Sequence, residues 1–426
     1  MAEDKNIQTE GSFSDKAIGW AIEFDRKWPP DHFHRRLNPD PEDDLKQIEE
    51  QDLPVVKEAR DITEQARENG RLASSERNPF GEIDELLMFV VGDLHFSGSN
   101  PEKAIENRSP VYQKIQAIGF QTIRQRLKGK NWPLEVKPIK RLQGYYSVMN
   151  AVLKALPQQL PSKPKDSSRN KMAIAIFDMG DRSNTEACMG DIALTAIEYE
   201  VFRRKAEEIS AEASGEDQEA NIFMAMLKGT HDGDVYSRGI TGEKFERDLY
   251  GSQIFSQEVG DDNLVLALNT NYASRIWLKI YEREKKKVKD SEGDLKKTVG
   301  QIEKDMALQK ELIQEALKSG KKIILMGHEE ALLKQIIPLE NSRVTHIICG
   351  HLHTAKIDSI GVRNSDGETI QRVRVGAAIG GGYGFEPLRD PVGHSVVITD
   401  KKVEANSLEI PKHDKDYPFI ASPESG

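Results

Sequence analysis

The stretch that most constrains the fold is IICGHLH at positions 347–353. Its apolar start predicts a buried strand, and the glycine marks the end of that strand. His351 and His353 follow at alternate positions, and alternate residues of an extended chain point to the same side. Two imidazoles that leave one strand end together suit a metal site, so partner ligands are expected at the ends of other apolar strands.

The same pattern, a short apolar run followed by glycine and then Asp or His, occurs at four earlier places. Asp93 and His95 follow the run at 86–91, and Asp181 follows the run at 172–177. His231 and Asp232 follow the run at 222–227, and His328 follows the run at 323–326. Strand ends are where an α/β scaffold brings distant side chains to one crevice. Asp93 or Asp181 alone is equally well explained as a turn residue, but the ordered set predicts one site.

The set GDLH, GD, GTHD, GH and GHLH resembles the motif series of the calcineurin-like metallophosphoesterase superfamily. That series reads D-x-H, G-D, G-N-H-[DE], H and G-H-x-H. The resemblance covers residues 86–406 and leaves the N-terminal part uncovered. It implies an α/β fold, a two-sheet β-sandwich flanked by helices, and the hydrolysis of a phosphate ester by a hydroxide that two metal ions activate.

The resemblance further implies a ligand set for two divalent metal ions. Asp93, His95, Asp181 and His353 would hold one ion, and Asp181, residue 230, His328 and His351 would hold the other. Asp181 would bridge the two ions because a carboxylate offers two oxygens. Manganese is the expected metal, with iron, zinc or nickel as alternatives, since all of them suit Asp and His ligands.

Residues 230–232 would complete the reaction machinery. By the resemblance, His231 donates a proton to the leaving group or stabilises the phosphate oxygens, and Asp232 orients it. Thr230 departs from the family, which has Asn there as a ligand of the second metal. A Thr hydroxyl is shorter and a poorer ligand, so a weaker second site is expected unless water or a nearby side chain supplies the oxygen.

Two cations adjoin the motifs. Arg182 follows Asp181, and Lys228 precedes Gly229 where protein phosphatases of the superfamily carry Arg. A guanidinium or ammonium group there could bind the phosphate. A salt bridge at the rim of the site explains either residue equally well.

Three parts are expected along the chain. Residues 1–81 form a helical, partly disordered N-terminal extension, residues 82–410 the metallophosphoesterase domain, and residues 411–426 a C-terminal tail. Insertions are predicted at about 97–140 and 274–305, the second as a helical hairpin or a projecting helix pair. The lysine-rich run at 285–289 is interpreted as a solvated helix face.

Composition limits the remaining choices. Charged residues make up 31% of the 426 residues and the net charge is −10, which does not favour broad binding to nucleic acid. No apolar run reaches the length of a membrane span and no secretory signal is visible, so a cytoplasmic location is expected. The two cysteines, Cys188 and Cys349, do not suggest a disulfide framework.

The sequence therefore predicts a metal-dependent phosphoesterase whose substrate class is not defined. Two alternatives remain open. One is a nuclease or cyclic-nucleotide phosphodiesterase of the same superfamily, which a basic groove leading to His231 would favour. The other is a catalytically weak scaffold that binds a protein partner through the helical additions, motivated by Thr230.

Overall fold

The computed structural model describes residues 54–73, 76–93, 171–182, 222–230, 235–251, 253–288, 293–352, 355–375, 393–399 and 402–408, with residue 232 and isolated positions in 152–157 and 196–210. The strands are β1 (Glu85–Val91), β2 (Met172–Asp178), β3 (Ile222–Met226), β4 (Phe255–Val259), β5 (Asn263–Ala267), β6 (Lys322–Met326), β7 (Val344–Cys349), β8 (Lys356–Arg363), β9 (Thr369–Arg374), β10 (His394–Thr399) and β11 (Val403–Ser407). The longer helices are α1 (Pro54–Glu68), α2 (Val235–Tyr250), α3 (Arg275–Val288), α4 (Asp294–Lys318) and α5 (Glu330–Ile336).

The strands form two mixed sheets. The first has the order β11-β10-β1-β2-β3 and the second the order β4-β5-β6-β7-β9-β8. Within them, β1, β2 and β3 are parallel, as are β5, β6, β7 and β9. Parallel strands are usually covered on both faces, which explains why β1 and β2 are buried after their first residue and apolar apart from Glu85 and Asp178 at their ends.

Among the described residues, two apolar clusters hold the layers together. The cluster between the sheets includes Met88, Phe177 and Ile348. The other lies on the outer face of the second sheet under the helices and includes Trp277, Ile302 and Leu325. Neighbouring residues of one strand enter different clusters because alternate side chains point to opposite faces. The predicted two-sheet sandwich flanked by helices is confirmed.

Helices α3 and α4 cover the second sheet. Helix α4 contacts β4, β5, α2 and α3, and its buried face includes Ile302, Leu312 and Ala316. Of the two arrangements expected for this segment, the structure has the packed pair and not a projecting one, because the apolar stripe of α4 lies against the sheet.

Part of the predicted N-terminal extension is built into the sandwich. Residues 71–73 and 76–83, which we call the strap, form isolated parallel bridges to both sheets: Leu72 to Met224 of β3, and Arg77 and Ile83 to Ser256 and Val259 of β4. The strands β3 and β4 are the outermost strands on one side of their sheets. The strap therefore runs across the side of the sandwich at which both sheets end.

Other expectations fall on parts of the chain that the structure does not describe. The insertion at 97–140, the tail at 411–426 and Cys188 lie outside the described residues, and the division into domains stays a prediction. Cys349 is buried in β7. Within the described segments, no helix combines the length and the apolar character needed to cross a membrane.

Candidate active site

The described candidate ligands all follow the carboxyl ends of parallel strands. Asp93 follows β1, Asp181 follows β2, Thr230 follows β3, His328 follows β6 and His351 follows β7. The first three strands belong to one sheet and the last two to the other. The site therefore lies where the two sheets meet, and each ligand sits in the short turn that leaves its strand.

Asp93 joins three of these turns. Its backbone N–H donates to the carbonyl oxygen of Gly180 at 2.9 Å. Its carboxylate accepts the backbone N–H of His351, at 3.0 Å to Oδ1 and 2.9 Å to Oδ2. Gly350 allows this approach, because a Cβ at that position would lie 2.9 Å from Asp93 Oδ2.

Asp232 holds together the turn that follows β2 and the turn that follows β3. Its Oδ2 accepts the backbone N–H groups of Asp181 and Gly229, each at 2.9 Å, and its Oδ1 accepts that of Arg182 at 2.9 Å. Gly180 and Gly229 lie back to back, since a Cβ on Gly180 would come within 2.3 Å of the Gly229 nitrogen. Asp232 thus fixes the backbone that carries Asp181, and its predicted role in orienting His231 stays a prediction.

His328 and His351 stand beside Asp181. His328 Nδ1 is 2.8 Å from the carbonyl oxygen of Met179, and its Nε2 lies 3.0 Å from Asp181 Oδ2. A hydrogen bond from Nδ1 leaves Nε2 as the ligand atom, the usual way in which a ligand imidazole is oriented. Candidate ligand atoms of Asp181, His328 and His351 all lie within 4.8 Å of one another.

The turns that carry the ligands have unusual backbone geometry. Asp93, Asp181 and His351 have positive φ angles of 52°, 55° and 72°. Residues with a Cβ rarely occupy this region, at a cost of about 1–3 kcal/mol each, and such strain concentrates at functional sites. Among the described residues only Asn78 is a further non-glycine case, so the strain coincides with the predicted ligands.

The site buries three carboxyl groups close to an imidazole. Asp93, Asp178 and Asp181 are almost inaccessible to solvent. Burial raises the pKa of Asp93, with Asp181 adding to the rise and His328 opposing it. Burial would lower the pKa of His328, but Asp181 and Asp93 outweigh it and raise that pKa to about 10. Buried acids beside imidazoles are a donor set that fits divalent metal ions.

Arg182 has structural partners in place of the predicted phosphate. The side chain is 2% exposed, and its guanidinium pairs with Glu246 of α2 and donates to the carbonyl oxygen of Leu227 at 2.7 Å. Asp232 Oδ2 lies 3.4 Å away, and the ring of Tyr250 lies 4.5 Å from the guanidinium carbon. This geometry favours the salt-bridge reading of Arg182.

Lys228 is also engaged. Its Nζ pairs with Glu243, which lies one helical turn before Glu246 on α2 and also accepts from Arg247 at 3.2 Å. The Lys228 side chain is 11% exposed. Helix α2 thus supplies the counter-charges for both cations that were predicted to bind phosphate, and its acidic residues could not be linked to them by sequence spacing.

The remaining predicted residues divide into two groups. The Thr230 hydroxyl lies 3.3 Å from both carboxylate oxygens of Asp181, the residue predicted to bridge the two metals, and its role as a ligand stays a prediction. His95, His231 and His353 lie outside the described residues, so their roles stay predictions.

Asn271 was missed by the sequence reasoning. It belongs to a short 3₁₀ helix, Thr270–Ala273, that follows β5, and β5 is parallel to β6. Its Nδ2 donates to the carbonyl oxygen of Gly229 at 2.9 Å, and the side chain is buried. The signal was present, since an apolar run at 264–268 ends in polar residues as the other site strands do.

The two mixed sheets flanked by helices form the α/β sandwich that the resemblance implies, and the ligand-bearing turns follow its strands in the implied order. No family model matches the sequence, and no curated protein matches it.

The solved structures that are similar to the chain include three at 12% identity each. These three are a Saccharomyces cerevisiae protein serine/threonine phosphatase with similarity to human PP5 (TM-score 0.32, covering 85% of this chain and 92% of the phosphatase), the Haemophilus influenzae NAD nucleotidase (TM-score 0.33, 77% and 50%), and a single mutant of Entamoeba histolytica Vps29 (TM-score 0.23, 76% and 99%). This chain thus spans about half of the nucleotidase.

Proposed function

We propose that this protein is a metal-dependent phosphoesterase that uses two divalent metal ions. The observation that carries the proposal is the meeting of Asp93, Asp181, His328 and His351 at the carboxyl ends of strands from both sheets. Bound there, two metal ions would neutralise the phosphate and activate water for in-line attack. Manganese is the expected metal.

The residues of the chain would divide the work. Asp181 would hold both metal ions, together with Asp93, His95 and His353 for one ion and with His328 and His351 for the other. Asp232 holds the Asp181 and Gly229 turns in register through three backbone N–H groups. His231, one residue before Asp232, would protonate the leaving oxygen. The resemblance supplies the assignments of His95, His231 and His353.

The described surroundings do not favour the nuclease alternative. Arg182 and Lys228 are neutralised by Glu246 and Glu243. Within the lysine-rich run on α3, Lys285 is paired with Glu303 of α4. Since Arg182 and Lys228 are both paired with carboxylates, a phosphomonoester or a small diester is the favoured substrate class over a nucleic acid backbone.

The test is an assay of phosphomonoesters and phosphodiesters with added Mn²⁺, together with metal analysis of each protein. Asp181→Asn should lose both turnover and bound metal, because the bridge serves both ions. His231→Ala should keep the metal and lose about 10²–10⁴-fold in rate, the usual cost of removing a general acid.

Asp262→Asn, a change of the same kind at an exposed turn before β5, is the matched control and should behave as the wild type. Full turnover by Asp181→Asn, or turnover by a chelated wild type, would contradict the proposal. Tight metal binding without turnover of any ester would favour the scaffold alternative.

A further inference from the structure

Asn271 carries an unsatisfied polar atom at the site. The side chain is 1% exposed, and its Oδ1 has no hydrogen-bond partner. A buried amide oxygen that makes no hydrogen bond costs about 1–3 kcal/mol. Such an atom in a folded protein calls for an explanation, and a role in binding an ion is one of the usual ones.

The position of Asn271 connects it to the candidate second metal. Its Nδ2 is anchored on the carbonyl oxygen of Gly229, the residue before Thr230. The preceding residue, Thr270, adjoins the other turn: the N–H of Glu329 donates to Thr270 Oγ1 at 3.4 Å, and a Cβ on Gly327 would lie 2.8 Å from Thr270 Cγ2. Asn271 therefore lies between the turns that carry Thr230 and His328.

The local fold holds this side chain in place. Asn269 begins the 3₁₀ helix, and its Oδ1 accepts the N–H of Asn271 at 3.0 Å. Gln309 of α4 holds Asn269 in turn, through its Oε1 and the backbone N–H of Asn269 at 2.8 Å. The backbone of Asn271 is therefore ordered and its amide nitrogen is anchored. The amide oxygen is the side-chain atom that makes no hydrogen bond.

The predicted ligand set of the second metal ion lacks an amide oxygen. Thr230 stands where the resembling family has an Asn ligand, and a hydroxyl is a poor substitute for an amide oxygen. Side-chain amide oxygens are hard neutral ligands that suit Mn²⁺ and similar ions. Asn271 also follows a parallel strand at the same sheet edge as His328 and His351, which is the placement that the other ligands share.

We infer that Asn271 Oδ1 is a ligand of the second metal ion and supplies the amide oxygen that residue 230 does not. The inference rests on the proposed function, because it needs two metal ions at this site. On this inference Thr230 is a neighbour of Asp181 and not the main ligand. Replacing Thr230 then affects binding of the second metal only when Asn271 is absent.

The test is calorimetric titration of the metal-free protein with Mn²⁺, paired with thermal unfolding with and without Mn²⁺. The wild type should bind in two steps. Asn271→Ala should keep the first step and weaken the second by about tenfold to a hundredfold, the effect of losing one polar contact to a charged group. The Mn²⁺-induced rise in unfolding temperature should shrink accordingly.

Asn263→Ala is the matched control. Asn263 is 2% exposed, donates through Nδ2 to the carbonyl oxygen of Thr399 at 2.8 Å, and stands at the opposite end of β5. This variant loses a buried amide and one hydrogen bond, as Asn271→Ala does, but should keep both Mn²⁺ steps. It therefore corrects for the loss of stability that either change causes without metal.

A rescue experiment separates a ligand from a purely structural residue. Thr230→Asn should restore the second step in the Asn271→Ala background and change little in the wild type, because one amide oxygen suffices. An equal second step in Asn271→Ala and wild type, or failure of Thr230→Asn to restore a weakened second step, would overturn the inference while leaving the proposed function intact. A wild type that binds no Mn²⁺ would overturn both.

Discussion

At the scale of single residues, Arg182 shows how one side chain can serve a site without touching a substrate. Its guanidinium links Glu246 on α2 with the end of β3, while its backbone N–H is held by Asp232. The pKa of Arg182 is raised well above its ordinary value because neighbouring Asp232 and Glu246 outweigh the effect of burial. Arg182 is thus the central cation of a buried acidic cluster.

Breaking this pair should destabilise the protein strongly. Arg182→Met leaves Glu246 and Asp232 buried without their cation, and removing one partner of a buried ion pair typically costs about 3–5 kcal/mol. Arg182→Met combined with Glu246→Leu should recover part of that loss, because apolar replacements of both partners are often tolerated. Urea unfolding of the single and double variants measures the coupling.

The opposite result would restore the role predicted from the sequence. If Arg182→Met unfolds at the wild-type urea concentration and instead raises KM for a phosphate ester, the guanidinium binds substrate.

Adjacency to Asp181 suggested a substrate-binding role for Arg182, but its partner Glu246 lies 64 residues further along the chain. Asn271 escaped prediction for a related reason, since an Asn after a strand is an ordinary turn residue and only the folded chain shows its unsatisfied oxygen.

At the scale of elements, the second sheet ends in a strand fixed by charges. Asp358 on β8 stands opposite Arg372 on β9, with Arg372 Nε and Nη2 donating to its two oxygens at 2.7 and 2.6 Å. Cross-strand pairs of opposite charge stabilise a sheet by about 0.2–1 kcal/mol. The hydrogen bonds from Arg372 lower the pKa of Asp358 to about 2.

This shift predicts a pH-dependent contribution to stability. A carboxyl group with a lowered pKa in the folded state stabilises it above the unfolded pKa of about 3.9 and loses that effect as the pH falls towards the folded value. Asp358→Asn should therefore lower the free energy of unfolding at neutral pH, and its deficit should shrink at about pH 3.

Urea unfolding across this pH range provides the measurement, with Asp262→Asn as the exposed control. A deficit for Asp358→Asn that stays constant with pH would mean that the lost contact is not electrostatic.

The elements themselves were largely predictable. Continuous apolar runs ended by glycine located β1, β2, β3, β6 and β7, because buried parallel strands leave this simple pattern. The same runs placed Asp93, Asp181, His328 and His351. The packing of α4 on the second sheet was not predicted, since a dense pattern of charges conceals its buried stripe of Ile302, Leu312 and Ala316.

At the scale of the whole molecule, the strap ties the two sheets to each other. Phe80 enters the core between them, with ring centroids 4.9 Å from Phe223, 5.6 Å from Phe255 and 6.1 Å from Phe177. Its backbone N–H donates to Gln257 Oε1 at 2.9 Å. The sequence did not predict this role, because the strap has no strand-like alternation and its partners lie far along the chain.

Removing the aromatic anchor should cost far more than removing a surface contact. Phe80→Ala is expected to lower the free energy of unfolding by about 3–5 kcal/mol, the usual loss for a buried Phe. Arg77→Ala, in the same strap, removes salt bridges to Glu311 and Glu315 from a side chain that is 48% exposed, and should cost about 0–1 kcal/mol. Equal losses in urea unfolding would show that Phe80 is not the anchor.

The strap also affects how the chain reaches its native state. A ribosome makes Phe80 early, but its partner Gln257 follows 177 residues later, and contacts of such separation form slowly. Until the strap is in place, the outer strands β3 and β4 present unpaired backbone groups, which are templates for pairing with another chain. A variant that lacks residues 1–83, and with them the strap, should therefore aggregate during synthesis even though every candidate ligand is still present.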